Sequence, residues 1–73
     1  MNKNLLESEM KAHGDTGTAL SKRLGIARST FSAKINETNG AEFTQGEISK
    51  IKKLYSLDAE RVDEIFFDLN VSN

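Results

Sequence analysis

Residues 28–36 combine an arginine with small hydrogen-bonding side chains and carry no acidic residue, although 11 of the 73 residues in the chain are acidic. If this segment is a helix, Phe31 and Ile35 share one face, which we expect to be buried. The opposite face then carries Ser29, Ser32, Ala33 and Asn36, with Arg28 at its N-terminal end. An exposed helix of this kind fits a DNA major groove, about 12 Å wide, where short polar side chains reach base edges. A carboxylate on that face would repel phosphates.

Each side chain type on this face has its own way of contacting DNA. An arginine such as Arg28 forks onto O6 and N7 of guanine, or binds a phosphate instead. Serine and asparagine bond base edges, and a small apolar side chain can lie against a thymine methyl. The candidate base contacts are Arg28, Ser29, Ser32, Ala33 and Asn36.

A second group of residues is better suited to phosphates than to bases. The first amides of a helix that begins after Thr16 form an anion site. Hydroxyl and ammonium groups bond phosphates without reading the sequence. The candidate phosphate contacts are Thr16, Thr18, Lys22, Lys34 and Asn39. The lysine-rich segment 50–53 is either a further phosphate contact or an exposed helix face.

Three helices are predicted in the first half of the chain. The spacing of Leu5, Leu6 and Met10 predicts a helix over about residues 3–12. Thr16 can cap a second helix, which Gly25 ends because glycine readily adopts positive φ. A third helix covers about residues 28–36, and Asn39-Gly40 marks the turn that follows.

Two further helices are predicted in the second half. Thr44 and Glu47 have the spacing of a capping box, in which each side chain accepts a hydrogen bond from the other residue's amide. An apolar stripe follows, formed by Ile48, Ile51, Leu54 and Tyr55. Asp58 can cap a fifth helix that ends near residue 67 or 68, leaving 68–73 as a tail that could form a short strand or an arm.

These features predict an all-α fold, a compact bundle of about five short helices in a single domain over 1–73, with its core in about 4–67. Helices 2 and 3, joined by a glycine-containing turn, have the form of a helix-turn-helix. The stretch TGTALSKRLGIARSTFSAKIN (16–36) resembles the helix-turn-helix of the phage repressor and Cro family. With EFTQGEISKIKKLYSL and EIFF after it, the chain looks like the small phage-type regulators of Gram-positive hosts.

The resemblance implies a lambda-repressor-like fold and sequence-specific binding to a double-stranded DNA operator. Two positions depart from the family pattern. Ala27 stands where a Ser or Thr usually caps the third helix, and the missing cap costs about 1 kcal/mol. Gly17 stands where the family often has a glutamine that braces the recognition helix and contacts the DNA backbone.

The charge distribution separates the two halves of the chain. The net charge is −1 overall, with 10 basic and 11 acidic residues. The first 36 residues carry six basic and three acidic residues, and the remainder carries four and eight. This asymmetry is either chance scatter or the mark of a polyanion that binds the basic half.

Other chemistries find little support in the composition. The chain has no cysteine and one histidine, His13, which we interpret as a polar residue ending the first helix. No metal-ligand spacing, phosphate-binding glycine loop or nucleophile–base pair is present. We therefore expect neither an enzyme nor a protein that needs a metal or cofactor.

The expected location is the cytoplasm of a bacterial host, since neither a signal sequence nor a membrane span is found in the sequence. A palindromic operator calls for two copies of the chain. The candidate contacts for a weak homodimer are Phe67, Leu69 and Val71. The alternative functions are a module that binds and modulates a larger companion repressor, and an antitoxin-like subunit.

Overall fold

A computed structural model describes residues 1–67, which form five helices joined by short loops. Their bounds are α1 Lys3–Ala12, α2 Gly17–Leu24, α3 Arg28–Ile35, α4 Gln45–Leu54 and α5 Ala59–Val62. A 3₁₀ turn, Thr38–Gly40, separates α3 from α4, and a π-helical turn, Asp63–Phe67, continues α5. The predicted all-α fold is confirmed, and no strand occurs among the described residues.

The helices begin where the capping residues predict. The Thr16 hydroxyl accepts a 3.1 Å hydrogen bond from the amide three residues further on. At the start of α4 the capping box is complete, because Glu47 N donates to Thr44 Oγ1 at 3.1 Å and Thr44 N donates to Glu47 Oε1 at 2.9 Å. Asp58 caps α5 through a single bond, in which Arg61 N donates to Asp58 Oδ1 at 2.7 Å. Ala27, as expected, gives α3 no side-chain cap.

The turn between α2 and α3 depends on Gly25, whose φ of 75° is a left-handed conformation that glycine adopts without the steric cost of a Cβ. Ser21 lies where α2 packs closely on the rest of the domain, and it is 2% exposed. Its hydroxyl is satisfied by donating to the Thr18 carbonyl at 2.8 Å. Because overpacking a buried position is destabilising, we expect a larger side chain at Ser21 to disturb the packing of α2.

A single apolar core holds the five helices together. Phe43, just before α4, packs edge to face on Phe31 of α3 and on Phe66, with ring centroids 5.8 Å apart in each case. The buried apolar residues are Leu6, Met10, Leu20, Leu24, Phe31, Ile35, Phe43, Ile48, Ile51, Tyr55, Leu57, Val62 and Ile65.

Leu54 departs from the predicted apolar stripe, because it is 37% exposed. Ile48, Ile51 and Tyr55 lie within about 60° of one another around α4, and Leu54 falls outside that arc. The buried face of α4 is therefore narrower than the apolar stripe in the sequence indicates.

The end of the described chain exposes an aromatic ring. Phe66 is half-buried against the core, whereas Phe67 is 42% exposed. Neither ring is fully buried. The predicted tail and the dimer candidates Leu69 and Val71 lie outside the described residues.

Candidate nucleic-acid interface

The outward face of α3 is built on two buried anchors. Phe31 and Ile35 are 2% and 7% exposed, and they hold the helix against the core. On the other side, Ser29 is exposed, and Ser32 and Ala33 are half-buried. The predicted orientation of α3 is confirmed, and its outer surface is small, neutral and accessible.

The N-terminal end of α2 lies beside the beginning of α3. Thr16 and Thr18 are both exposed there. Arg28, the first residue of α3, extends back over Gly17: a Cβ placed on that glycine would lie 3.2 Å from Cζ and Nε of the arginine. Thr16, Thr18 and Arg28 are thus candidates that the fold brings to one place.

Asn36 is held at the opposite end of α3. Its Oδ1 accepts a 2.6 Å hydrogen bond from Lys3 Nζ, and its Nδ2 donates to the Ser32 carbonyl at 3.0 Å. The side chain is exposed, but both of its polar atoms have partners. Reading a base would require Asn36 to exchange at least one of these hydrogen bonds.

Lys34, a predicted phosphate contact, forms an ion pair in this structure. Its Nζ donates to both carboxylate oxygens of Glu47, at 2.7 and 2.9 Å, and the two side chains are 16% and 12% exposed. Burial alone would raise the pKa of Glu47, but hydrogen bonds from Lys34 and Thr44 lower that pKa overall. The pair links α3 to α4, so Lys34 is the phosphate candidate least available to a ligand.

The remaining two phosphate candidates are exposed. Lys22 lies in the last turn of α2 and has no ion-pair partner within residues 1–67. Asn39 lies in the 3₁₀ turn with a φ of 53°, a left-handed conformation that asparagine tolerates better than most residues. Lys22 is therefore a free cation on the α2 side of the interface.

The helix-turn-helix segment carries a local positive charge. Residues 16–36 contain four basic residues and no acidic one. The acidic residues on either side have cationic partners: Asp15 lies 3.5 Å from Arg23, and Glu37 lies 3.1 Å from the N-terminal amino group. Arg23 and Lys34 are thus each paired with a carboxylate outside the segment, and among the described residues its two cations without an ion-pair partner are Lys22 and Arg28.

A cluster of side chains behind the interface has no signal in the sequence. Tyr55, at the end of α4, donates its hydroxyl to Asp15 Oδ2 at 2.7 Å, and Asp15 is the residue before the cap of α2. Burial, followed by the hydrogen bond to Asp15, raises the pKa of the Tyr55 phenol. His13 stacks on the Tyr55 ring with centroids 4.5 Å apart, which gives it the structural role expected at the end of α1. In the sequence, Tyr55 belongs to the apolar stripe of the fourth helix, and no pattern links it to Asp15.

No family model, curated protein or solved structure matches this chain. Among the described residues, no helix is long and apolar enough to cross a membrane. Residues 1–67 also hold no group of three or more His, Cys, Asp or Glu side chains that would suit a metal ion.

Proposed function

We propose that this chain binds double-stranded DNA sequence-specifically, as a small phage- or prophage-type transcriptional regulator in the bacterial cytoplasm. The observation that carries this proposal is the exposed, acid-free face of α3, held outward by Phe31 and Ile35. A helix with small side chains on its outer face can lie deep in a major groove.

The contacts divide into reading and positioning ones. Ser29, Ser32 and Ala33 lie on the outer face of α3 and would meet base edges, as would Asn36 once its present bonds are exchanged. Thr16 caps α2, and Thr18 and Lys22 lie on that helix; from there they would bond phosphates and fix the position of α3 in the groove.

Two copies would occupy the operator. One short helix reads only a few base pairs, and two-fold related half-sites lie one helical turn apart. Phe67 offers an exposed apolar contact for a second copy. We expect this dimer to be weak in the absence of DNA, because a single exposed ring buries little area.

The salt dependence of DNA binding tests the proposal most directly. Phosphate contacts release counterions, so affinity for a mixed-sequence duplex should fall steeply between about 50 and 200 mM salt. Selection from a random duplex pool should also enrich a two-fold symmetric sequence. Absence of measurable binding at the lower salt concentration would overturn the proposal.

A substitution on the proposed reading face makes the test specific. Ser29→Glu places a carboxylate on this face, in the first turn of α3, where an acid favours the helix. Binding to the selected duplex should weaken by roughly tenfold, within the range for losing one base contact. Ser49→Glu, at an exposed position of α4, is the matched control and should bind as the unmodified chain does.

A second candidate function is a module that binds and modulates a larger repressor. The observation that favours it is a pocket of about 300 Å³ beside Phe67, lined in part by Phe43 and Phe66. This function predicts no salt-dependent DNA binding and a stable complex with a repressor encoded nearby. An antitoxin-like subunit would instead form its complex with a neighbouring toxin.

A further inference from the structure

Arg28 does not extend along the outer face of α3. Side chains on a helix lean towards its N-terminus, and Arg28 is the first residue of α3, so its side chain points away from the middle of the reading face. The guanidinium instead lies over Gly17, where an ideal Cβ would be 3.2 Å from Cζ and Nε and 3.3 Å from Nη2. These distances are shorter than an ordinary van der Waals contact, so a Cβ at position 17 would require the guanidinium to shift by a few tenths of an ångström, and a bulkier side chain would compete for the same space.

Among the described residues, no carboxylate lies within ion-pair distance of the Arg28 guanidinium. Its exposed side chain forms no hydrogen bond or ion pair within residues 1–67. The amides of Gly17 and Thr18 have no acceptor inside α2, and a cation beside the positive end of a helix is electrostatically unfavourable. A phosphate oxygen between the guanidinium and these amides would satisfy both groups.

We infer that Arg28 clamps a DNA phosphate rather than reading a base, and that the missing side chain of Gly17 is what permits this placement. The inference rests on the proposed function and deepens it. The fork geometry of a guanidinium suits phosphate as well as guanine, so both roles are open to this arginine. Its placement over Gly17 favours the phosphate. It also makes Gly17 a positioning residue, since glycine acts here only through Arg28.

Binding measurements on two duplexes separate these roles. One duplex has a mixed sequence, and the other is selected by the full chain from a random pool. If Arg28 binds a phosphate, Arg28→Ala should lower the slope of log affinity against log salt by about 0.9 per bound copy, equally on both duplexes. The factor by which Arg28→Ala weakens DNA binding should therefore decrease about threefold between about 50 and 200 mM salt.

The role of Gly17 is tested by a double-mutant cycle. Gly17→Leu should reproduce the effect of Arg28→Ala and add nothing to it in the double variant. Gly46→Leu is the matched control, also in the first turn of a helix, where a Cβ meets only Thr44 Oγ1 at 3.9 Å. It should leave binding unchanged. Circular dichroism and thermal unfolding establish that each variant folds, and Gly17→Ala replaces Gly17→Leu if the latter does not.

The outcomes that contradict the inference are distinct from failure of the proposed function. Loss of preference for the selected duplex in Arg28→Ala, with the salt slope unchanged, would make Arg28 a base reader. If Gly17→Leu still weakened binding in the Arg28→Ala background, Gly17 would not act through Arg28. If the unmodified chain binds neither duplex at low salt, the proposed function is overturned, and this inference with it.

Discussion

The hydroxyl of Tyr55 donates a 2.7 Å hydrogen bond to Oδ2 of Asp15 and joins the end of α4 to the beginning of α2. Asp15 has a side chain only 4% exposed, and Arg23 lies 3.5 Å from its other oxygen. A buried carboxylate needs such partners, because leaving it unsatisfied is costly. Since the next residue caps α2, this bond holds in place the helix end that we propose contacts phosphates.

Tyr55→Phe should destabilise the domain by about 2 kcal/mol, the range for a hydrogen bond to a charged group. Urea unfolding at neutral pH measures the change. In the background of Asp15→Ala the same substitution should cost much less, because the bond is already absent. Equal losses in the two backgrounds would show that the hydroxyl does not stabilise the fold through Asp15.

The ion pair between Lys34 and Glu47 should give the domain a characteristic pH dependence. Because the pKa of Glu47 is lowered on folding, its stabilising contribution is present above 4.5, the ordinary value, and is lost as pH falls through the folded pKa. Glu47→Gln should therefore flatten the fall of the unfolding free energy between neutral and acidic pH. Glu42→Gln, at an exposed carboxylate, is the control. Parallel curves for the unmodified chain and Glu47→Gln would contradict the assignment.

Substitutions at Lys22 and at Lys34 should differ in their effect on DNA binding, although the sequence predicts a phosphate contact for both. Lys22→Met should lower the salt slope by about 0.9, as expected for one lost phosphate contact. The double variant Lys34→Met with Glu47→Gln removes both charges of the pair and should leave the slope unchanged. Titrations of a mixed-sequence duplex at several salt concentrations measure both. A lowered slope in the double variant would mean that Lys34 leaves Glu47 to bind DNA.

A cap added to α3 should stabilise the protein. Ala27 has the extended backbone of an N-cap residue, with φ −69° and ψ 152°, but its side chain makes no cap hydrogen bond. Ala27→Ser should add about 1 kcal/mol, which raises the Tm by about 4–8 °C in a domain of this size. Thr44→Ala, which removes an existing cap, should lower the Tm by a similar amount. An unchanged Tm in Ala27→Ser would show that another group already satisfies the first amides of α3.

Phe67 should act in pairing rather than in folding. Phe67→Ser should leave the Tm nearly unchanged, because the ring is 42% exposed, and should weaken binding to a two-half-site duplex more than to a single half-site. Leu54→Ser is the matched control, since Leu54 is the other exposed large apolar residue among the described ones. Equal effects on both duplexes would remove Phe67 from the dimer contact.

Most of the fold could be predicted because its signals are local. Thr16, Thr44 and Asp58 mark helix starts through hydrogen bonds that reach only three residues along the chain. Gly25 marks an end through its own backbone conformation. Which side of α3 faces outward likewise follows from the spacing of Phe31 and Ile35, since helical periodicity alone sets it.

The availability of the candidate site residues could not be predicted in the same way. Lys34 and Lys22 look equivalent in sequence, yet Lys34 pairs with Glu47, 13 positions further along, and Asn36 bonds Lys3, 33 positions earlier. Such pairs depend on how the helices pack, and no short sequence pattern encodes them.

The amino-acid sequence by itself determined the all-α class, the helix starts and the acid-free outward face of α3, because these depend on interactions within a few residues. Only the tertiary structure decided which polar groups on that surface are free. In the folded chain Lys34 pairs with Glu47, Arg28 lies over Gly17, and Tyr55 bonds Asp15. A hydrogen bond or ion pair forms only between atoms within about 3–4 Å, and the packing of the helices sets such distances.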